Sequence, residues 1–207
     1  MIRQPFDSLV DSLAAKTPTP GGGAAAAMAA CMGTALFLMV IRFARGKKVN
    51  ADREQDLARA EERLQQLLDL LKPMAERDCA AFDRVAAAYK MPRGTESEQA
   101  LREKAVQEAM VGAMVVPEET LCMVRDVCEA MAGVVPRIGK STLSDLASGA
   151  ALLRAGAESA LLNVRINAGF LTNRTLADST MKRARAVLDE IHAREKAIAD
   201  AVDGALA

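Results

Sequence analysis

The stretch that decides the fold is Thr17-Pro18-Thr19-Pro20-Gly21-Gly22-Gly23-Ala24-Ala25-Ala26-Ala27-Met28-Ala29-Ala30-Cys31-Met32-Gly33-Thr34-Ala35-Leu36-Phe37-Leu38-Met39-Val40-Ile41, which carries no charge. Thr17 to Gly23 hold two prolines and three glycines and read as a turn. The remainder, Ala24 to Ile41, is apolar on every side and rich in good helix formers. Its length would suffice for a bilayer of about 30 Å. Alanine, glycine and Thr34, however, make a weak lipid-facing surface. A helix apolar all round is more often the buried centre of a helical protein, and that is the reading adopted.

The rest of the composition agrees. Of 207 residues, 51% are hydrophobic but only 3% aromatic, with no Trp and one Tyr. The apolar half is thus Ala, Leu, Val and Met. The 27 basic and 27 acidic residues cancel, which removes the basic footprint of a nucleic-acid binder. Scarce aromatics argue further against base stacking. A single histidine, His192, excludes two-histidine metal motifs and sits on a charged segment as a surface residue. The four cysteines, Cys31, Cys79, Cys122 and Cys128, form no C-x-x-C pair and lie among Ala, Met and Val. They read as buried thiols in a reducing, cytoplasmic setting. Met1 to Ser12 lack a signal-peptide pattern.

Outward from the long apolar helix, Phe6, Leu9, Val10 and Leu13 fall at helical spacing and predict a short amphipathic helix. After Arg42 to Lys48, Asn50 or Asp52 can cap a helix striped with Leu57, Leu64, Leu67, Leu68 and Leu71. Pro73 begins or kinks a helix reaching Tyr89, and Thr95-Glu96-Ser97-Glu98 is a capping box opening the next. Pro117 is expected to start another, ending near Gly133. Val134 to Ser144 reads as a loop. A helix dense in Ala and Leu follows from Asp145 to about Phe170, and a charged one from about Thr175. No period-2 strand appears. The expected fold is all-α, a single-domain multi-helix bundle over 1–207 with a long buried central helix.

Several residues stand out chemically. Gly139-Lys140-Ser141 imitates the end of a P-loop but lacks its first glycine, and helix rather than strand precedes it. Gly21, Gly22 and Gly23 precede a helix N-terminus, where free N–H groups favour an anion and a flat ligand can approach. Asp78 sits on the helical wheel among Leu71, Met74, Phe82, Val85 and Tyr89, whereas Asp83 points away. A carboxylate in an apolar stripe is either an internal salt bridge or a general base with a raised pKa. Asp145 follows Ser144 at a helix start, where N-capping accounts for it. Asn163 and Asn167 share a face as a polar core pair or a ligand-reading edge. Asp145 and Asn163 are ~27 Å apart along one helix, so only a second subunit could bring them into one site. Arg42, Arg45, Lys47 and Lys48 form a basic cluster, either a solvated helix end or a seat for carboxylates.

In order, these pieces resemble the cyclodeaminase/cyclohydrolase family, which comprises methenyltetrahydrofolate cyclohydrolases and the C-terminal half of formiminotransferase-cyclodeaminase. The resemblance is carried by Pro18 to Ala26 with Met32 to Leu36, by Gly46-Lys47-Lys48, and by Arg77-Asp78-Cys79-Ala80-Ala81-Phe82 with Tyr89-Lys90-Met91-Pro92. Ser144-Asp145 and Leu162-Asn163-Val164-Arg165-Ile166-Asn167 complete it, so that it runs from about Phe6 to Phe170.

The resemblance implies an all-helical homodimer acting on one-carbon tetrahydrofolates near the subunit interface, with Asp78 as the catalytic aspartate. It implies substrate contacts from Gly21, Gly22, Gly23, Lys47, Lys48, Asp145, Asn163 and Asn167, the lysines meeting the glutamate tail. The sequence itself implies no metal or cofactor, and no nucleic-acid or membrane partner. Hydration of methenyltetrahydrofolate is the expected reaction, since no formiminotransferase half accompanies this chain. The alternatives are cyclodeamination of formiminotetrahydrofolate with loss of ammonia, or a non-catalytic helical folate-binding protein. Three positions depart from the family pattern: Ala24 replaces a serine, Arg42-Phe43-Ala44 replaces Asn-x-Thr, and Lys140 replaces an asparagine after Gly139.

Overall fold

A computed structural model describes residues 5–206. The expectations placed on residues 1–4 and 207, including the start of the Met1 to Ser12 reading, lie outside that range. The described chain is helical throughout, with no strand: α1 Phe6–Ala14, α2 Gly22–Ala44, α3 Glu54–Leu71, α4 Met74–Tyr89, α5 Glu96–Ala132, α6 Leu143–Gly169 and α7 Arg174–Leu206. Three short 3-10 turns occupy the connections that lead into α3 (Lys48–Arg53) and into α6 (Val135–Arg137 and Lys140–Thr142).

The Ala-rich run is α2, and it is the hub. Helices α3, α4, α5 and α6 all pack on it, α6 most extensively. Its length and hydropathy would let it cross a membrane, but 56% of its most apolar window is covered by the rest of the molecule. The α2–α6 contact is close because it is made of glycine. A Cβ on Gly33 would stand 2.7 Å from Leu153 Cγ and 2.8 Å from the Gly149 carbonyl oxygen. One on Gly149 would meet the Phe37 ring at 2.8 Å, and one on Gly156 the Ala26 carbonyl at 3.0 Å. Gly33 faces Gly149, Gly156 faces Ala26 and Gly22 faces Asn163, so the two helices run antiparallel. The opening glycines of α2 therefore meet the end of α6.

Three local expectations are corrected. Pro117 does not start a helix, because α5 runs unbroken through it. Proline removes one helical bond, the one due to the carbonyl four residues back, here Ala113. That carbonyl instead accepts from Asn167 Nδ2 at 2.9 Å, so the helix continues without an orphaned group. Asn50 does not cap α3, nor does Asp52. Asn50 is buried and its Nδ2 donates to Ala44 O at 2.9 Å and Arg137 O at 3.1 Å, closing the end of α2. Asp145 is not a cap either: α6 begins at Leu143 after Thr142, and Asp145 lies in its first turn. The Thr95/Glu98 capping box forms as expected, with Glu98 N–H donating to Thr95 Oγ1 at 3.2 Å.

Among the cysteines only Cys128 is fully buried; Cys31, Cys79 and Cys122 are half-buried, and all four are free thiols. Burial pushes Cys31 up to about 11 and Cys128 to about 12, away from thiolate chemistry. The amphipathic α1 is present, with Phe6, Val10 and Leu13 exposed and none of its residues buried.

The glycine contact generates a test. Alanine raises helix propensity over glycine by about 1 kcal/mol, yet at Gly33 its methyl meets a backbone oxygen that cannot rotate aside. Gly33→Ala should lower stability by roughly 2 kcal/mol in urea unfolding; a gain would show that α2 and α6 can separate freely.

Candidate functional site

A cavity of about 410 Å³ opens where the start of α2, the middle of α4 and the end of α6 converge. Its floor is Gly21, Gly22, Gly23 and Asp78; Asn163 and Asn167 line one wall. Phe82, Val85, Tyr89, Met110, Ile166 and Phe170 make the remainder mainly apolar.

Asp78 reaches this place for two reasons. The core side of α4 is Met74, Ala75, Ala81, Val85 and Ala88, so Asp78 falls at its border and is half-buried. Phe82 and Tyr89, expected beside it in the core, are partly exposed and stand at the mouth of the cavity. The second reason is Gly23, whose missing side chain leaves the space that the carboxylate occupies. Any Cβ there would overlap Asp78.

No cation among the described residues pairs with Asp78, so the internal salt bridge is not its partner. The partner is the backbone N–H of Ala24, in the first turn of α2. Gly21 offers that turn no side-chain cap, and Asp78 supplies an acceptor from another helix. Burial pushes the Asp78 carboxyl above its usual range, and the Ala24 N–H partly opposes the shift.

The two asparagines arrive from α6. Asn163 Nδ2 donates to Ser159 O at 2.9 Å and lies against Gly22, while Ser159 Oγ donates to Gly22 O at 3.3 Å. At the mouth, Arg102 donates to Tyr89 O at 3.2 and 3.1 Å and lies over its ring, 5.4 Å from the centroid. Sequence reading missed Met110, Ile166 and Phe170 as lining residues. The only signal for them was apolar spacing, which core residues share.

Lys47, Lys48 and Asp145 do not join this cavity within the chain. They lie at the far end of α2, which is about 34 Å long. Lys47 Nζ packs over Gly139, at 3.3 Å from where its Cβ would be. Arg42 and Arg45, of the same cluster, are taken by α3. Arg42 Nε meets Glu61 at 2.8 Å, and Arg45 meets Glu54 and Glu61 at 2.8 and 2.5 Å. The paired guanidiniums hold the Glu61 carboxyl below the usual range. Of the three departures, Ala24 meets Asp78 through its N–H, whereas Arg42 and Lys140 belong to the other end. His192 is half-buried on α7, with Nε2 3.2 Å from Glu158.

Comparison with known proteins fits this arrangement. A methenyltetrahydrofolate cyclohydrolase from Methylorubrum extorquens is 35% identical over 197 residues, 95% of each chain. The formimidoyltransferase-cyclodeaminase of Gallus gallus is 28% identical over 92% of this chain, which spans only 35% of that longer protein. A crystal structure of formiminotetrahydrofolate cyclodeaminase from Thermotoga maritima superposes with a TM-score of 0.88 at 26% identity, covering 99% of this chain and 98% of that one. The family model described as formiminotransferase-cyclodeaminase matches residues 5–186, and the chain belongs to that family.

Proposed function

We propose that the protein is a methenyltetrahydrofolate cyclohydrolase with Asp78 as general base. The observation that carries this reading is a desolvated carboxylate, paired with no cation among the described residues, at the floor of a mainly apolar cavity. The methenyl bridge is a cationic amidinium carbon between two nitrogens. An ionised Asp78 attracts that cation more strongly in a dry site than in water. A water held between carboxylate and carbon gives its proton to Asp78 as its oxygen bonds to carbon. One carbon–nitrogen bond then opens as the new hydroxyl becomes the formyl carbonyl, the freed nitrogen taking the proton back from Asp78 and the hydroxyl proton passing to solvent. A raised carboxyl pKa makes Asp78 a better proton acceptor than an ordinary aspartate. The step asks only for water and proton transfer, so we assign no metal or cofactor.

Cyclodeamination of formiminotetrahydrofolate is the second reading, favoured by the fold match to the Thermotoga maritima protein. The same carboxylate could shuttle protons there as ammonia leaves. We read α2 as a core helix rather than a membrane span, and the protein as cytoplasmic and without a nucleic-acid partner. We further propose a homodimer: Leu162, Ile166 and Phe170 form an exposed stripe beside the cavity, and α1 presents Phe6, Val10 and Leu13 to the outside. A second subunit is also the one means of bringing Lys47, Lys48 and Asp145 to a folate in this cavity.

Three outcomes are expected. Wild-type protein consumes the methenyl absorbance, and Asp78→Asn slows this by about 10²–10⁴-fold; production of the absorbance from formiminotetrahydrofolate instead would install the second reading. Asparagine keeps an acceptor for the Ala24 N–H, so the variant should stay folded. Because burial raises the folded pKa of Asp78, the stability of wild type relative to Asp78→Asn is greatest below about pH 4 and is lost as pH rises through the raised value. Melting curves across that range check the sign. Light scattering during gel filtration should give twice the 22.0 kDa chain mass, and a monomer at micromolar concentration would remove the dimer.

A further inference from the structure

We infer that Pro117 is a positioning residue for the cavity: by vacating the Ala113 carbonyl it fixes the Asn167 carboxamide so that Oδ1 reads a hydrogen-bond donor on the ligand. The inference deepens the folate reading and rests on it for the identity of that ligand.

The chain of contacts is short. Pro117 has no N–H, so Ala113 O lacks its helical donor. Asn167, 54 positions further along the chain, fills the gap with Nδ2 at 2.9 Å. A carbonyl can only accept, so the side-chain atom facing it must be nitrogen, and the carboxamide cannot turn over without orphaning a half-buried group. Asn163 is fixed by the same logic, its Nδ2 on Ser159 O at 2.9 Å. Both side chains line the cavity, and neither Oδ1 has a donor among the described residues. At a spacing of four on α6 they form a row of two acceptors. Such a row selects a heterocycle edge that carries N–H groups, as the 2-amino-pyrimidinone end of a pterin does, and rejects one that carries acceptors.

The test uses the full chain and three variants, Pro117→Ala, Asn167→Ala and the double substitution, each first shown to melt cooperatively. Titrations compare tetrahydrofolate with its 2-desamino analogue, which lacks the amino donor, so no turnover is needed. Wild type should favour tetrahydrofolate by about tenfold, the scale of one hydrogen bond with its burial penalty. Pro117→Ala and Asn167→Ala should each reduce that preference, and the double variant should reduce it no further than Asn167→Ala. In the free protein, the Asn167 side-chain amide protons should exchange slowly in wild type and faster in Pro117→Ala. Additive losses, or an Asn167 amide indifferent to Pro117→Ala, would overturn the positioning role. Equal binding of the two ligands by wild type would overturn the edge reading. Discrimination without turnover of either folate would sink the proposed reaction while leaving this inference standing.

Discussion

Everything in this molecule hangs on how closely α2 approaches α6. Two helix backbones come together only where side chains are absent, and Gly33, Gly149 and Gly156 mark those places. The same proximity explains why α2 is so rich in alanine, since larger residues would hold its other neighbours away. It also fixes the site. Because the pair is antiparallel, the glycine turn that opens α2 must lie beside the last turns of α6. Gly22 and Asn163 therefore meet without a loop having to carry either of them.

The electrostatics follow from the same start. The first turn of α2 has unpaired N–H groups and no capping side chain, so a carboxylate is favourable there. Asp78 answers that need from α4, and Gly23 leaves it room. The capping contact and the raised proton affinity of Asp78 thus arise at one place. The bond to Ala24 holds the carboxylate in place, while the apolar walls keep its proton affinity above that of a solvated aspartate. At the opposite end the charges behave differently. Arg42 and Arg45 neutralise Glu61 and Glu54 at the surface, where such pairs orient a turn more than they stabilise it.

How much of this could be read in advance depended on the range of each interaction. The central helix, the capping box at Thr95 and the special place of Asp78 follow from spacing within a few residues, and the sequence displays them. The fate of Pro117 did not, because the donor that rescues Ala113 is Asn167, on a different helix. A local rule saw only a missing N–H and ended the helix. Asn50 misled in the same way, since its preference for caps is real but the carbonyls it serves belong to Ala44 and Arg137. Lys47 and Lys48 had the right chemistry for carboxylates, while their distance from the cavity is a property of the 23 residues of α2 between them.

The scarcity of aromatic residues acquires a physical meaning from the same packing. A core built from glycine, alanine and unbranched or branched aliphatics has little space for rings, and of five Phe and one Tyr only Phe37 is fully buried. It lies against Gly149, the position that leaves room for it. Phe82, Tyr89 and Phe170 instead line the cavity. Half of the chain's aromatic side chains therefore surround one opening, where flat, partly exposed rings offer faces for stacking above a carboxylate and two fixed acceptors. The packing rule that keeps rings out of the α2–α6 contact thus leaves them where a planar heterocycle would meet them.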